Sequence, residues 1–278
     1  MQRLAEEAWR LDPTVAQETV GDLAWMTRQH AGREAEWKRQ LWIDGEERVV
    51  AWGWIKAPAR LFFQVDPRRR ELHAALLAWF EDEATERPLT VEVRAANDIA
   101  IEALERRGFE HDPDAPWLRL NARSLESIEE PVVPQGYRLS TLAETSDVAA
   151  RAALHRIVWH PSLVTEESYA SVTAEWPYRP ELDCVVVAPD GSFASYALAW
   201  IDEANRTGIL EPVGTHPDHR RRGLAAAVSL HALHQLRRAG AETGLVGSRG
   251  DSAYPVPSLL YESIGFRELT RTRAYTKP

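Results

Sequence analysis

Cysteine is nearly missing: Cys184 stands alone in a chain of 278 residues. An internal disulfide is therefore excluded, and so is a zinc site built on several cysteines; no metal site is expected. Long apolar runs are missing too. No stretch approaches the roughly 18–20 residues that a membrane-spanning helix requires, and the opening MQRLAEEAWRLDP lacks the apolar centre of a secretory signal. Lysine is confined to Lys38, Lys56 and Lys277 while arginine and alanine abound, which reads as a genomic composition bias. An excess of positive charge is absent, the formal net charge being -9. A protein that lives on nucleic-acid phosphates needs a basic face, so no nucleic acid is expected and a neutral or cationic partner is favoured. These absences describe a soluble, cytoplasmic chain with no membrane association. Its length suits one large domain or two small ones; composition leaves the oligomeric state open.

With 44% hydrophobic residues the chain has enough for ordinary cores. A polar, acidic, proline-bearing stretch at 121–136, NARSLESIEEPVVPQG, has the make-up of a linker. The expected division is a unit at 1–122, a connection at 123–136 and a second unit at 137–278. In the second unit, 137–142 alternates as a strand, 146–160 and 165–176 read as helices, and 184–188 and 195–201 read as hairpin strands around Pro189-Asp190-Gly191. A strand at 209–215 follows. Leu224, Ala227, Val228, Leu230, Leu233 and Leu236 then recur at the spacing of an amphipathic helix, with Gly240 at its end. A strand at 243–247, a helix at 257–263 and a strand near 271–276 complete the unit.

The first unit repeats the later part of this plan, with strands at 48–55 and 61–65, a helix at 72–83, a strand at 89–93, a helix at 97–107 and a closing strand at 117–120. ALERRGF (103–109) lies over LYESIGF (260–266), and VDPRRRELHAAL (65–76) over THPDHRRRGLAAAV (215–228). Two matches in the same order point to an internal duplication; the plain alternative is a chance likeness of common helix endings. The first strand of the N-terminal copy is not visible, so either it is absent or the native start lies upstream.

The stretch richest in chemistry is GILEPVGTHPDHRRRGLAA, 208–226. It reads as a strand, a Pro/Asp turn, a basic triplet and a glycine where a helix begins. A helix N-terminus leaves several N–H groups unpaired and carries partial positive charge. Glycine lets an oxyanion approach the backbone closely, and successive N–H groups form an anion nest. Arg220, Arg221 and Arg222 add charge at the mouth. Three cations at a helix N-terminus oppose the dipole unless an anion sits there, which favours a phosphate cradle over a merely solvated charge run. No Gly-Lys-Ser/Thr follows, so this is not a nucleotide P-loop, and no G-x-G-x-x-G is present.

The pattern Arg220-x-x-Gly223-x-Ala225 resembles the pyrophosphate loop of the GNAT acyltransferase superfamily. The context agrees: His216-Pro217 before it, a long amphipathic helix after it, and LYESIGF at 260–266, similar to the family's Leu-Tyr-Glu-x-x-Gly-Phe. The likeness covers roughly 137–276, with a fainter version over 1–120, and the tandem layout is similar to that of mycothiol synthase. The implied fold is α+β: two tandem GNAT-like domains, each a mixed, mostly antiparallel sheet flanked by helices. The implied co-substrate is acetyl-CoA. Its diphosphate is expected on Arg220, Arg221, Arg222, Gly223, Leu224, Ala225 and Ala226, and its pantetheine arm along Val213, Gly214 and Thr215, where the 209–215 strand splays from the 243–247 strand. The N–H near Val213 would polarise the thioester carbonyl.

Tyr261 occupies the family's general-acid position; a core aromatic is the alternative. Glu211 shares a strand face with Val213 and is a candidate for taking the amine proton; an exposed edge charge is the alternative. His216 and His219 read as solvated turn residues, and Cys184 as core, which favours direct attack over an acyl-enzyme. Trp159-His160-Pro161-Ser162 and Trp176-Pro177-Tyr178 read either as core or as acceptor-pocket walls. Tyr254 stands where the family has an asparagine that touches CoA. In the N-terminal copy Glu71 and His73 replace the small residues of the loop and Leu104 replaces the tyrosine, so that half is expected to bind no CoA. The expected function is N-acetyl transfer to a primary amine of a small molecule; a non-catalytic CoA sensor and a protein N-acetyltransferase are the alternatives.

Overall fold

The structure is a computed structural model that describes residues 1–56 and 58–278. Its N-terminal half runs α1 (Gln2–Leu11), α2 (Val20–Arg28), β1 (Trp37–Ile43), β2 (Val49–Lys56), β3 (Arg60–Val65), α3 (Leu72–Glu83), β4 (Leu89–Arg94), α4 (Asp98–Arg106), β5 (Glu110–His111) and β6 (Leu118–Ser124). The C-terminal half runs β7 (Arg138–Thr141), α5 (Leu142–Thr145), α6 (Val148–Val158), α7 (Glu166–Thr173), β8 (Asp183–Val187), β9 (Phe193–Asp202), β10 (Thr207–Thr215), α8 (Leu224–Arg238), β11 (Thr243–Arg249), α9 (Val256–Ser263) and β12 (Arg267–Lys277). No helix among the described residues is long and apolar enough to cross a membrane.

Strand chemistry follows burial. β8 and most of β9 are buried on both faces, which is why they read as continuous apolar runs rather than alternating ones. The apolar stripe of α8 packs on them: Leu224, Val228, Leu233 and Leu236 share one core with Cys184, Val186, Ala197 and Phe266. Each half is antiparallel except for one parallel pair, β3 with β4 and β10 with β11.

Separate sheets for the two halves are not what forms. The strands make one sheet in the order β1-β2-β3-β4-β12-β6-β11-β10-β9-β8-β7, with β5 beside β12. The halves trade their closing strands. β6 pairs with β11 over its whole length, from Ser124 opposite Thr243 to Leu118 opposite Arg249. The first part of β12 pairs with β6, and its second part, from Thr272 to Lys277, pairs with β4. Side chains follow the exchange: Leu120 packs with Trp200, Ile209 and Leu245, while Tyr275 packs with Leu76, Phe80 and Leu104. Alternation along a strand fixes which face it buries, not which strand it lies beside, so sequence alone could not reveal this exchange.

Helices α1 and α2 wedge between the halves. Leu4, Ala5, Val20 and Leu23 meet Trp52 and Trp54 of β2, and Trp9, Ala24 and Trp25 meet Tyr169 and Trp200. The approach of α2 to β9 depends on Gly21, where an added Cβ would lie 2.5 Å from the Trp200 Cβ. The start of α2 is set by a capping box between Thr19 and Asp22. Asp22 is thereby held against the C-terminal half.

Candidate active site

The parallel pairing of β10 with β11 ends at Leu210 opposite Val246, yet both strands continue. β10 is irregular there, its register on β9 shifting between Leu210 and Val213. The carbonyl of Glu211, turned out of the ladder by this bulge, accepts the Trp200 indole N–H at 2.6 Å. Beyond the bulge His216 N–H donates to Ala194 O of the β9 side. Strand alternation then turns the N–H and C=O groups of Val213 and Thr215 away from β9, into the opening on the β11 side. Gly214 faces β9, where its carbonyl accepts from Ser195 Oγ at 2.9 Å.

The loop after β10 presents a row of free amides. Arg221 and Gly223 take the left-handed conformation, at φ 59 and 77, which turns the chain abruptly into α8. Gly223 is the N-cap and no side chain caps the helix. Among the described residues, the N–H groups of Arg221, Arg222, Gly223, Leu224, Ala225 and Ala226 meet no acceptor. Their three arginine neighbours, Arg220 included, are exposed. Such an array can hold an oxyanion, since it is the one partner that satisfies amides and guanidiniums together. His216 and His219 organise the turn: His216 Nδ1 accepts from Asp218 N–H at 3.2 Å, and Tyr137 Oη lies 2.9 Å from His219 Nδ1.

Glu211 makes no side-chain hydrogen bond among the described residues, and its carboxyl is pushed up to about 8, by burial first and then by the charge of Asp22. Tyr261, on α9, is buried with its ring edge-on to Phe266. Its hydroxyl is held in the protonated form by burial and then by the charge of Glu211. The two candidate catalytic residues, fifty positions apart in sequence, therefore sit within each other's field. Tyr254, in the loop before α9, is exposed, and Cys184 is buried with its thiol pushed up by burial.

A cavity of about 740 Å³ lies between the halves, and Glu211 is on its wall. From the C-terminal half come His155, Trp159, Pro161, Ser162, Pro212 and Gly247; from the N-terminal half come Glu18, Asp22, Trp25, Phe62 and Arg94. Of the two aromatic segments, the first lines the cavity through Trp159, Pro161 and Ser162. The second does not: Trp176 is exposed, and Tyr178 donates to Asp183 at 3.3 Å. Behind this wall the Trp159 indole donates to Tyr196 Oη at 2.7 Å, and that hydroxyl lies 2.9 Å from His155 Nδ1. Burial, reinforced by Arg151, pushes His155 down to about 3, so it stays neutral. Arg151 itself is fully buried, paired with Asp183 at 2.9 Å and 3.5 Å from the centre of the Tyr196 ring. Glu18, Asp22, His155, Tyr196 and Trp200 escaped sequence reasoning. The one local signal among them is the Thr19-x-x-Asp22 capping pair, which marks a helix start and not a site.

A profile described as the acetyltransferase (GNAT) family matches residues 151–253. Among curated proteins, a mycothiol acetyltransferase from Streptomyces griseus is 26% identical over 221 residues, covering 76% of this chain and 69% of that protein. A ribosomal protein bS18-alanine N-acetyltransferase from Escherichia coli K12 is 27% identical over 154 residues, covering 55% of this chain and 86% of that one. Among solved structures, a tandem GNAT protein of the clavulanic acid biosynthesis pathway superposes with a TM-score of 0.66 over 99% of this chain and 93% of that one, at 17% identity, a likeness of fold.

Proposed function

We propose, from the match of residues 151–253 to the GNAT acetyltransferase family and the likeness to a mycothiol acetyltransferase, that the chain transfers the acetyl group of acetyl-CoA to the primary amine of a small molecule by direct attack. Residues 137–278 supply the acetyl-CoA site, and residues 1–122, a degenerate copy, supply one wall of the acceptor pocket. The observation that carries this reading is a conjunction. Glu211, on the wall of the cavity, stands on the strand that parts from β11 after Leu210 and leads into a loop of six amides unpartnered among the described residues.

Acetyl-CoA, when bound, brings an activated thioester. The amides of 221–226 hold its diphosphate, with Arg220, Arg221 and Arg222 around it, and Val213 and Thr215 hold its pantetheine arm by strand-like hydrogen bonds. Val213 N–H is placed to donate to the thioester oxygen, where negative charge grows as the amine approaches. Glu211 takes a proton from the acceptor nitrogen. A carboxylate pushed up to about 8 is a stronger base than a solvated one and matches a working pH near neutrality. The nitrogen bonds to the acetyl carbon, the carbon–sulfur bond breaks, Tyr261 gives its phenolic proton to the departing sulfur, and the second proton that the nitrogen sheds restores the phenol. An ammonium acceptor thus yields amide, thiol and one net proton released to water. Cys184 is too deeply buried to serve as an acyl carrier. The cavity volume lies in the range of small-molecule sites, which favours a small acceptor over a protein surface.

The test is release of free CoA thiol with a panel of small amines at saturating acetyl-CoA. Turnover with at least one amine is expected, and Tyr261→Phe should lower kcat by about 100-fold with little change in the KM for acetyl-CoA. Acetyl-CoA binding without thiol release from any amine would leave a sensor instead; release with peptide N-termini alone would move the acceptor to proteins.

A further inference from the structure

We propose that the acceptor is a diamine: it carries a second cationic group besides the amine that reacts, and Glu18 and Asp22 of the N-terminal half hold that group. The proposal rests on the acetyltransferase reading of the same cavity and names its substrate class.

The charges lining the cavity do not balance locally. Its carboxylates are Glu18, Asp22, Glu92 and Glu211. Glu92 is neutralised by Arg60 at 2.5 Å. Arg119 is drawn outward by Glu262 and Glu268. Around Glu211 there remain Glu18 and Asp22 against the single guanidinium of Arg94, which itself donates to the carbonyls of Ala16 and Gln17 at 3.0 and 2.8 Å. Three carboxyl groups thus face one guanidinium, and a ligand with two ammonium groups draws Glu18 and Glu211, both pushed up to about 8 in its absence, into their charged forms. Glu18 makes no hydrogen bond among the described residues. Asp22 uses Oδ2 to accept from Thr19 N–H and Oγ1 at 2.8 Å each, which leaves Oδ1 for another donor. Burial and then Asp22 push Glu18 up to about 8, against the pull of Arg94 and Arg60.

The rest of the lining suits a cation with hydrogens to donate. Trp25 and Trp159 line the cavity beside His155, and indole rings attract ammonium groups. His155 is 5% exposed and lines the cavity; Tyr196 engages its Nδ1, while Nε2 has no partner among the described residues. Being neutral, it offers a polar contact without repelling a cation. Lys56, His30 and Arg60 also line the cavity, and burial and then Arg60 push the Lys56 ammonium down from its usual range.

The experiment is calorimetric titration of the full chain, saturated with CoA, using 1,4-diaminobutane, 1-aminobutane and 4-aminobutanoate. The expected result is at least about tenfold tighter binding of the diamine than of either other compound, and Glu18→Gln should reduce that ratio to about threefold or less, one lost ion pair in a partly buried site being worth roughly 1 kcal/mol. Glu18→Gln removes no hydrogen bond. Asp22→Asn, which disturbs the capping box of α2, is the second variant and is read only after its melting curve confirms folding. Equal affinity for the three compounds, tighter binding of 4-aminobutanoate, no binding of the diamine, or an unchanged ratio in both variants overturns the proposal. Thiol release measured alongside separates the two readings. Selective diamine binding without turnover unseats the transferase and leaves the diamine site; turnover with indifferent binding does the reverse.

Discussion

The opening between β10 and β11 has a counterpart between β3 and β4, and the two have opposite fates. Both are parallel pairs that stop early: β10 and β11 part after Leu210 and Val246, β3 and β4 after Leu61 and Val91. In the N-terminal half the chain itself fills the breach. Gln17 Nε2 donates to Glu92 O at 3.0 Å, Gln17 Oε1 accepts from Arg94 N–H at 2.9 Å, and Gln17 N–H donates to Gln64 Oε1 at 2.8 Å. The loops differ in the same way. At 221–226 the amides are free, whereas in the N-terminal loop Arg68 N–H is taken by Asp66 Oδ1, Arg69 N–H by Asp66 O, Leu72 N–H by Arg69 O and His73 N–H by Arg70 O. Arg68 and Arg69 are spent on Asp66 and Glu71, and Leu104 lies where Tyr261 stands, deep in the core. One plan thus yields an open loop in one half and a largely occupied one in the other, and the difference is whether backbone donors are left without partners.

The sharpest way to break that contrast is to close the open loop. Gly223→Glu adds a side chain where no atom lies within 4 Å of the added Cβ, so nothing is displaced. It costs about 1 kcal/mol because φ is positive there, and it sets a carboxylate among the free amides. Acetyl-CoA affinity measured by calorimetry should fall by more than about 100-fold, while the melting temperature drops by only a few degrees. Wild-type protein should bind one CoA per chain. Unchanged affinity in the variant, or two CoA per wild-type chain, would show that the two halves do not differ as described.

The next test opens the closed half. Gln17→Ala strips partners from Arg94 N–H and Glu92 O in a buried setting. Leaving two such groups unsatisfied should lower unfolding free energy by about 2–4 kcal/mol in urea. CoA stoichiometry should stay at one, because the amides of Arg68, Arg69, Leu72 and His73 stay occupied and Glu71 sets a carboxylate in that loop. A second CoA in this variant would mean that the Gln17 plug alone silences the N-terminal half.

How much of this could be read from sequence follows from the range of each interaction. The loop at 220–226 was legible because a helix N-terminus, a glycine and three arginines are neighbours in the chain. The exposure of Val213 and Thr215 was expected only through the family resemblance, because the direction in which their backbone groups face is set by the shift of register on β9 between Leu210 and Val213. Trp159 was readable only as core or wall, since an aromatic flanking a helix end has the same sequence signature in both. Glu18 and Asp22 were illegible as site residues: nearly two hundred positions separate them from Glu211, and only the seating of α2 on β9 through Gly21 brings them near. The exchange of β6 and β12 was hidden for a related reason. A strand's pattern names the face to be buried and is silent about its neighbour, and only the shared cores around Leu120 and Tyr275 reveal the partner.

The smallest expected effect concerns the charge that the open half leaves unpaired. Glu211 is useful as a base only after losing its proton, so kcat/KM should climb with pH, reach half its limit near 8 and level off above that. The acceptor amine adds a climb of its own, which Glu211→Gln retains; the difference between the two profiles therefore isolates Glu211, and the variant should be slower by about 10-fold on the plateau. Stability supplies an independent check of sign. The folded carboxyl near 8 lies above its ordinary 4.5, so the folded state binds the extra proton between those values. The stability due to that proton is complete below about 4.5 and is lost as pH rises through about 8. Glutamine has nothing to lose. In urea titrations the gap between wild type and Glu211→Gln should therefore move in the variant's favour from pH 5 to pH 9, whereas a Glu211 with an ordinary acidity would leave the gap constant over that range.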